Sequence, residues 1–394
     1  MENTTFNARD DLTDFRAYGR SKALKQINRG ETKHWSDWRW QFSNRIKGLD
    51  TLSELLQLTC SEREVYRDLT ALYKYAVTPY YFSLIDWLDP DDPIRKQCIP
   101  DPREIEFSLP GSEEDPLAER THMPVPGLIH RYPDRVLALV TGTCAVYCRH
   151  CNRKRTWINS EAGNTREAFC RMVDYVAASP GVREIIISGG DPLTSSLSLL
   201  DEFLKAFREI PHVEVLRIGT RIPVVLPMRI TDDLCQMLAR HRPLWINTHF
   251  NHPREITPES TKACERLLKA GIPVSNQAVL LKGVNDSLKV IQDLCLGLQR
   301  IMVRPYYLFH CDAVRGTDHF RTDIRKGVEI IQELWGKIGG LCIPNYVVDL
   351  PDGGGKAMMV PSYLLELSEE RAIFRTFEGN IVRYPCPEGA DALL

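Results

Sequence analysis

Apolar positions recur along this chain with two different periods, and the change near residue 135 divides it. Over 61–75 they return every three to four positions, the spacing of a helix with one buried face. Ser36 precedes Trp38, Trp40 and Phe42 and predicts a capped helix whose tryptophans pack rather than react. The run Asp89-Pro90-Asp91-Asp92-Pro93 predicts a loop, because proline and clustered aspartate interrupt periodic structure. Residues 1–110 thus read as a helical N-terminal extension.

Beyond residue 135, short β-rich runs alternate with amphipathic stretches. Strands are expected over 136–140, 184–187, 213–218, 244–248, 274–281, 303–308 and 346–348. Helices are expected over 166–178, 197–210, 232–241, 259–270, 287–299 and 327–338. Repeated strand-then-helix order implies an α/β fold with a parallel sheet, either a full or partial β/α barrel or an open doubly wound sheet. Polar or glycine-rich segments follow five of the strands, at 141–151, 188–191, 248–252, 310–312 and 349–356. Sites in parallel α/β architectures form at the carboxyl ends of strands, so these five segments should converge.

Charge changes the picture little. Lysine plus arginine number 50 against 52 aspartate plus glutamate, a balance that leaves no footprint for nucleic acid or an anionic surface. The polar start MENTTFNARDDLTDFRAYGR and the lack of a long apolar run predict a cytoplasmic protein with no membrane segment. Of the twelve cysteines only three cluster, a pattern expected of reduced thiols plus one metal site rather than a disulfide framework.

Those three are Cys144, Cys148 and Cys151, in the segment TGTCAVYCRHCNRKR directly after an expected strand. Thiolates on a short loop suit an iron–sulfur core, and three ligands for four irons leave one iron open to react. A structural zinc would need His150 as fourth ligand, strained by its position between two of the cysteines. The basic residues beside the cluster, Arg149, Arg153, Lys154 and Arg155, are a weak case for nucleic acid in a chain of balanced charge. A second signature, Asp349-Leu350-Pro351-Asp352-Gly353-Gly354-Gly355-Lys356, lacks the spacing of a phosphate-cradling P-loop. It offers a lysine suited to a Schiff base with an aldehyde cofactor.

The three-then-two cysteine spacing resembles the radical S-adenosylmethionine enzymes, and Ser188-Gly189-Gly190-Asp191 resembles their segment contacting the methionine part of that cofactor. From Trp35 to Tyr384 the chain resembles lysine 2,3-aminomutase and its relatives, through SDWRWQ, VTPYYFSLID, PVPGLIHRYPDRV, CRHC, RIGTRIPVVLP, NTHFNHPREIT, NQAVLLKGVND, RPYYLFHCD, HFRT and VVDLPDGGGK. The resemblance implies a partial (β/α) barrel of radical S-adenosylmethionine type over 111–375, followed by a short tail, 376–394. It implies a [4Fe-4S] cluster on Cys144, Cys148 and Cys151, S-adenosyl-L-methionine, and pyridoxal 5′-phosphate on Lys356 with Arg131 and Arg135 at its phosphate. Gln277 and His249 match residues near the cofactors. Arg153 matches the arginine that pairs with the substrate carboxylate, and Asp312 and Asp349 match aspartates that hold the cationic end of the substrate. The implied reaction moves an α-amino group to the β-carbon of a free amino acid by way of a 5′-deoxyadenosyl radical. A one-electron reductant such as flavodoxin or ferredoxin and a homo-oligomeric state are implied as well.

Departures from the family pattern carry their own expectations. The chain ends at Leu394 without the family's cysteine-rich tail, and Ser287 stands where the body supplies a cysteine, so no zinc is expected. Phe309 replaces a tyrosine, His310 a glutamine, and Asp352 the first glycine of a four-glycine run. A third carboxylate beside Asp349 would suit a guanidinium, which favours arginine over lysine as substrate, whereas Asp352 could equally serve only to turn the loop. Glutamate is disfavoured because Asp312 and Asp349 would repel its side chain. The rival from another class is a non-catalytic iron–sulfur electron carrier, which would have no use for Lys356.

Overall fold

The computed structural model describes residues 18–23, 25, 34–157, 165–368 and 371–386. Residues 1–17 and 387–394 lie outside them, and so does the expectation attached to Leu394.

Within residues 34–110 short helices are joined by turns, and Ile46 and Val77 form an antiparallel bridge. Thr59 opens the helix Cys60–Leu72 with a capping box, its side chain and that of Glu62 each satisfying the other's backbone N–H. The helix Trp38–Ser43 is capped by Asp37, which accepts from Arg39 N, rather than by Ser36. An aspartate in extended backbone beside the first free N–H outcompetes a serine one position further away. The tryptophans pack as expected: Trp35 lies in the core, 6.2 Å from Trp40 between ring centroids. The Asp-Pro run is a turn whose last aspartate, Asp92, is buried, caps the helix Pro93–Cys98 and pairs with Arg254 at 2.5 Å.

The main sheet contains β1 (Leu128–Tyr132), β2 (Arg135–Thr141), β3 (Glu184–Gly189), β4 (Val215–Gly219), β5 (Leu244–Thr248), β6 (Val274–Leu280), β7 (Arg304–His310), β8 (Asn345–Leu350) and β9 (Gly355–Met358). Spatial order equals sequence order; β2 to β8 are parallel, and β1 and β9 flank them antiparallel. A doubly wound sheet must reverse direction partway. Adding every strand to the same side by right-handed crossovers puts all helices on one face and curls the sheet, which is a barrel left open.

Side chains obey that curvature with a period of two. Ile185, Ile187, Leu216 and Ile218 are fully buried in the core beneath helices such as Leu197–Arg208 and Asp232–Ala239. Their neighbours Ile186, Ser188, Arg217 and Gly219 face a central cavity. β10 (Leu364–Leu367), β11 (Arg371–Arg375) and β12 (Ile381–Pro385) form a separate antiparallel sheet. Arg375 pairs with Ile381 in it, so a hairpin crosses the place where the tail was expected to begin. Ser287 caps the helix Leu288–Arg300. Among the described residues no helix is long and apolar enough to cross a membrane.

Candidate active site

The five polar segments do converge. Cys144, Cys148, Cys151, Ser188, Gly189, Gly190, Asp191, His249, His310, Asp312, Asp349 and Lys356 all line one cavity of about 570 Å³ at the carboxyl ends of the strands, joined by Arg131, Arg135, Arg153 and Gln277. Asp352 is the exception. It is exposed, outside that lining, and sits in the left-handed region (φ 55°, ψ 28°), its N–H donating to Pro116 O at 2.9 Å. Aspartate tolerates this conformation better than most residues, a placement that suits a loop-turning part. The expected third carboxylate beside Asp349 is not among the residues lining the cavity.

The cysteine loop is moored to the N-terminal extension. Arg45 Nη1 donates to Cys144 O at 2.5 Å, Tyr147 N to Ala76 O at 3.2 Å, and Arg149 N to Gln97 O at 2.9 Å. Arg149, between two of the cysteines, is fully buried and binds Glu104 at 2.8 and 2.5 Å; Lys154 reaches the same carboxylate at 2.6 Å. Burial works to raise the Glu104 carboxyl, yet the charges of Arg149 and Lys154 together hold it below its usual value. Burial lowers Lys154 itself to about 8.

Burial pushes the Cys144 thiol well above its ordinary value, with Cys151 and Asp191 adding to the effect, and raises Cys151 to about 11. Thiols held neutral in this way would have to lose their protons to serve as metal ligands. Among the described residues no three metal-binding side chains gather around a point where a single ion would sit.

Close approach explains the glycines of the second segment. A Cβ on Gly189 (φ +128°) would lie 2.3 Å from Thr141 O, and one on Gly190 2.4 Å from Thr143 O. Asp191 accepts from Thr220 Oγ1 at 2.6 Å, Arg221 N at 2.7 Å and Leu193 N at 3.1 Å, so it braces this turn; burial raises its carboxyl to about 6.

β1 and β9, the two ends of the strand order, approach each other through Arg131, Tyr132, Gly353 and Gly355. The Arg131 Nε is buried with no hydrogen-bond partner, an uncompensated donor of the kind an anion satisfies. A Cβ on Gly353 (φ +71°) would come within 2.4 Å of His122 and 3.2 Å of that Nε, so the glycine leaves room for a group to approach the arginine. The Arg135 guanidinium lies 3.9 Å from the Tyr132 ring centroid. Lys356 Nζ is 2.6 Å from Asp349 Oδ1 and 5.0 Å from the Phe309 ring centroid. An orphaned guanidinium N–H, a glycine cradle and a nearby amine fit an aldehyde cofactor carrying a phosphate.

Between these two ends, Arg153 binds Glu119 through Nε and Nη2, the latter at 2.6 Å, and Arg155 holds the other oxygen of Glu119 at 2.7 Å. Asn152 Nδ2 donates to Asp312 Oδ2 at 3.2 Å. Burial and then the neighbouring charge of Asp349 raise the Asp312 carboxyl to about 7. Burial, with Arg221 second, lowers His249 to about 4 and keeps it neutral. Of the other two departures from the family pattern, Phe309 faces Lys356. The His310 ring bonds to Tyr346 (Nδ1 to Oη, 2.9 Å), whose hydroxyl donates to Ile324 O at the start of the helix Ile324–Leu334.

Sequence reasoning passed over Glu104, Glu119, Asn152 and Arg221. The acids leave no local signal, because their partners lie 34 to 50 positions away. Arg221 had one: it lies two residues after the end of β4, the placement that singled out the other five segments.

A family model described as lysine-2,3-aminomutase matches residues 331–392, and one described as the radical SAM superfamily matches 139–295. The chain is 49% identical to the L-lysine 2,3-aminomutase of Clostridium subterminale, over 90% of this chain and 85% of that protein. It is 46% identical to the L-lysine 2,3-aminomutase of Bacillus subtilis, over 90% of this chain and 75% of that protein. With the glutamate 2,3-aminomutase of Clostridioides difficile it shares 41% identity, over 92% and 86%.

Proposed function

Because this chain belongs to the lysine 2,3-aminomutase family of radical S-adenosylmethionine enzymes, we propose that it converts L-lysine to β-lysine. It is an isomerase, not an electron carrier, and its cofactors are a [4Fe-4S] cluster, S-adenosylmethionine and pyridoxal phosphate. When bound, the first two supply a carbon radical that takes hydrogen from the β-carbon, and the third a conjugated ring that spreads the unpaired electron while nitrogen migrates.

The protein's own residues hold these parts in register. Cys144, Cys148 and Cys151 carry the cluster and leave one iron open. The backbone of Ser188, Gly189 and Gly190 admits the methionine end of S-adenosylmethionine, with Gln277 and neutral His249 beside it. Arg131 and Arg135 take the phosphate, a task for permanently charged forks of donors, and the Lys356 amine takes the aldehyde. Arg153, steadied by Glu119, pairs with the substrate carboxylate. Asp312 and Asp349 hold the distant ammonium. Phe309 and Tyr307 line the cavity between and keep water from the radical.

The observation that carries lysine is the 49% identity, over 90% of this chain, to an L-lysine 2,3-aminomutase. Asp312 and Asp349 line the same cavity and offer two carboxylates to a substrate ammonium. Arginine loses its support because Asp352 lies off the cavity, and the relatives cited above include L-lysine 2,3-aminomutases. Glutamate would place a third negative charge against the pair. A one-electron donor such as flavodoxin or ferredoxin supplies the electron.

The test is to give the reduced, reconstituted enzyme lysine, arginine or glutamate and identify the β-amino acid by mass spectrometry. Lysine should turn over fastest; faster arginine turnover would overturn the assignment.

A further inference from the structure

We propose that Arg221 is a positioning residue for the iron–sulfur cluster, raising its reduction potential through a charged hydrogen bond to Cys148. The inference rests on the reading that Cys148 is a cluster ligand.

Arg221 is 7% exposed and spends its donors on separate partners. Nη2 serves Tyr81 Oη at 3.0 Å, Gln97 Oε1 at 2.5 Å and Glu255 Oε1 at 2.8 Å. Nε donates to His249 O at 3.2 Å, and the backbone N–H to Asp191 at 2.7 Å. Nη1 donates to Cys148 Sγ at 2.8 Å. One residue therefore ties a cluster ligand to the glycine-rich turn and to two side chains of the N-terminal extension. The ties through Nη2, Nε and the backbone would fix the loop without Nη1, so the bond to sulfur has an effect of its own.

That effect is electrostatic. A cluster that accepts an electron becomes more negative, and a fixed positive charge bonded to one of its sulfurs favours the reduced form. In a buried site the effect is weakly screened. Glu255 opposes it only in part. Its oxygens also accept from Tyr81 Oη at 2.6 Å, Asn251 N at 2.6 Å and His252 N at 3.0 Å, so its charge is shared among donors other than Arg221. Lysine at 221 would keep the charge but lose the planar fork that reaches sulfur and carboxylate together.

The experiment is an electron-paramagnetic-resonance redox titration of reconstituted wild type, Arg221→Met, Arg221→Lys and Glu255→Gln, with iron and sulfide measured on each. Arg221→Met should retain iron and show a lower midpoint potential, Arg221→Lys a smaller fall, and Glu255→Gln a rise, because it removes the opposing charge and leaves the Nη1 bond. A purely structural part would not give shifts of opposite sign. Unchanged midpoints with iron retained overturn the inference. If Arg221→Met loses its iron, Glu255→Gln decides, and an unchanged or lowered midpoint there overturns it. A wild type that binds no iron would instead overturn the cluster reading beneath it.

Discussion

Asp349 and Lys356 are direct cross-strand partners in the β8–β9 hairpin, and their side chains meet at 2.6 Å. The protein's own ammonium thus rests on one of the two carboxylates assigned to the substrate's ammonium. In the proposed reading, Lys356 leaves that carboxylate for the cofactor, and in doing so vacates the place the substrate needs. Asp349→Asn should raise KM for lysine by about 10- to 100-fold, the worth of a hydrogen bond to a charged group. It should still form the yellow chromophore with pyridoxal phosphate, whereas Lys356→Ala should lose it, as absorption spectra of the two variants will tell.

Asp312 gives the reaction a pH dependence. Its carboxyl is raised to about 7 by burial and by Asp349, so it is charged above that pH and neutral below it. Only the charged form attracts a cation. In a pH profile, kcat/KM for lysine should fall on the acid side with a midpoint about 7. Asp312→Asn should be less active throughout and lack this limb.

Arg131 is predicted to anchor phosphate through its unpartnered Nε. Arg131→Met should weaken pyridoxal phosphate binding by about 10- to 100-fold in a spectroscopic titration. The ratio of lysine to arginine turnover should not move, since in the proposed reading Arg131 grips the cofactor's phosphate and not the substrate's side chain.

Asp352→Gly offers the complementary control. Because Asp352 is exposed and outside the cavity lining, that same ratio should stay as in wild type. A shift toward lysine would restore the third carboxylate to the specificity site.

Glu104 is the shared counter-charge of Arg149 and Lys154, all three side chains being at most 1% exposed. Glu104→Ala strands two buried cations and should cost about 3–5 kcal/mol of stability. A lowered melting temperature together with reduced iron retention would show that the extension and the cysteine loop stand or fall as one.

How much of this was legible follows from the range of the forces involved. Periodicity found the parallel strands and their helices because burial repeats locally, and it found the convergence because β/α topology puts the strand ends together. It missed β1 and β9, whose hydrogen bonds replace apolar contrast as a signal. Cys144, Cys148 and Cys151 were singled out by their spacing and Lys356 by its glycine-rich loop, and all four line the one cavity. Glu119 and Glu104 were not, since a lone acid in sequence becomes a buried counter-ion only when the fold brings a distant arginine to it. Asp352 shows the converse: it is close to Asp349 in sequence, yet its left-handed turn leaves it exposed and outside the cavity lining.

β1 and β9 are the two ends of the nine-stranded order, and no ladder joins them among the described residues. Arg131 stands on one lip and Lys356 on the other, with a Cβ on Gly355 only 3.4 Å from the Tyr132 hydroxyl between them. In the proposed reading, a molecule attached to the amine and gripped by the guanidinium pins the lips together, so the cofactor serves as the missing rung of the wall. Its binding free energy then becomes part of the barrel's own cohesion by mass action, and an enzyme emptied of it is also a vessel unlatched along one side.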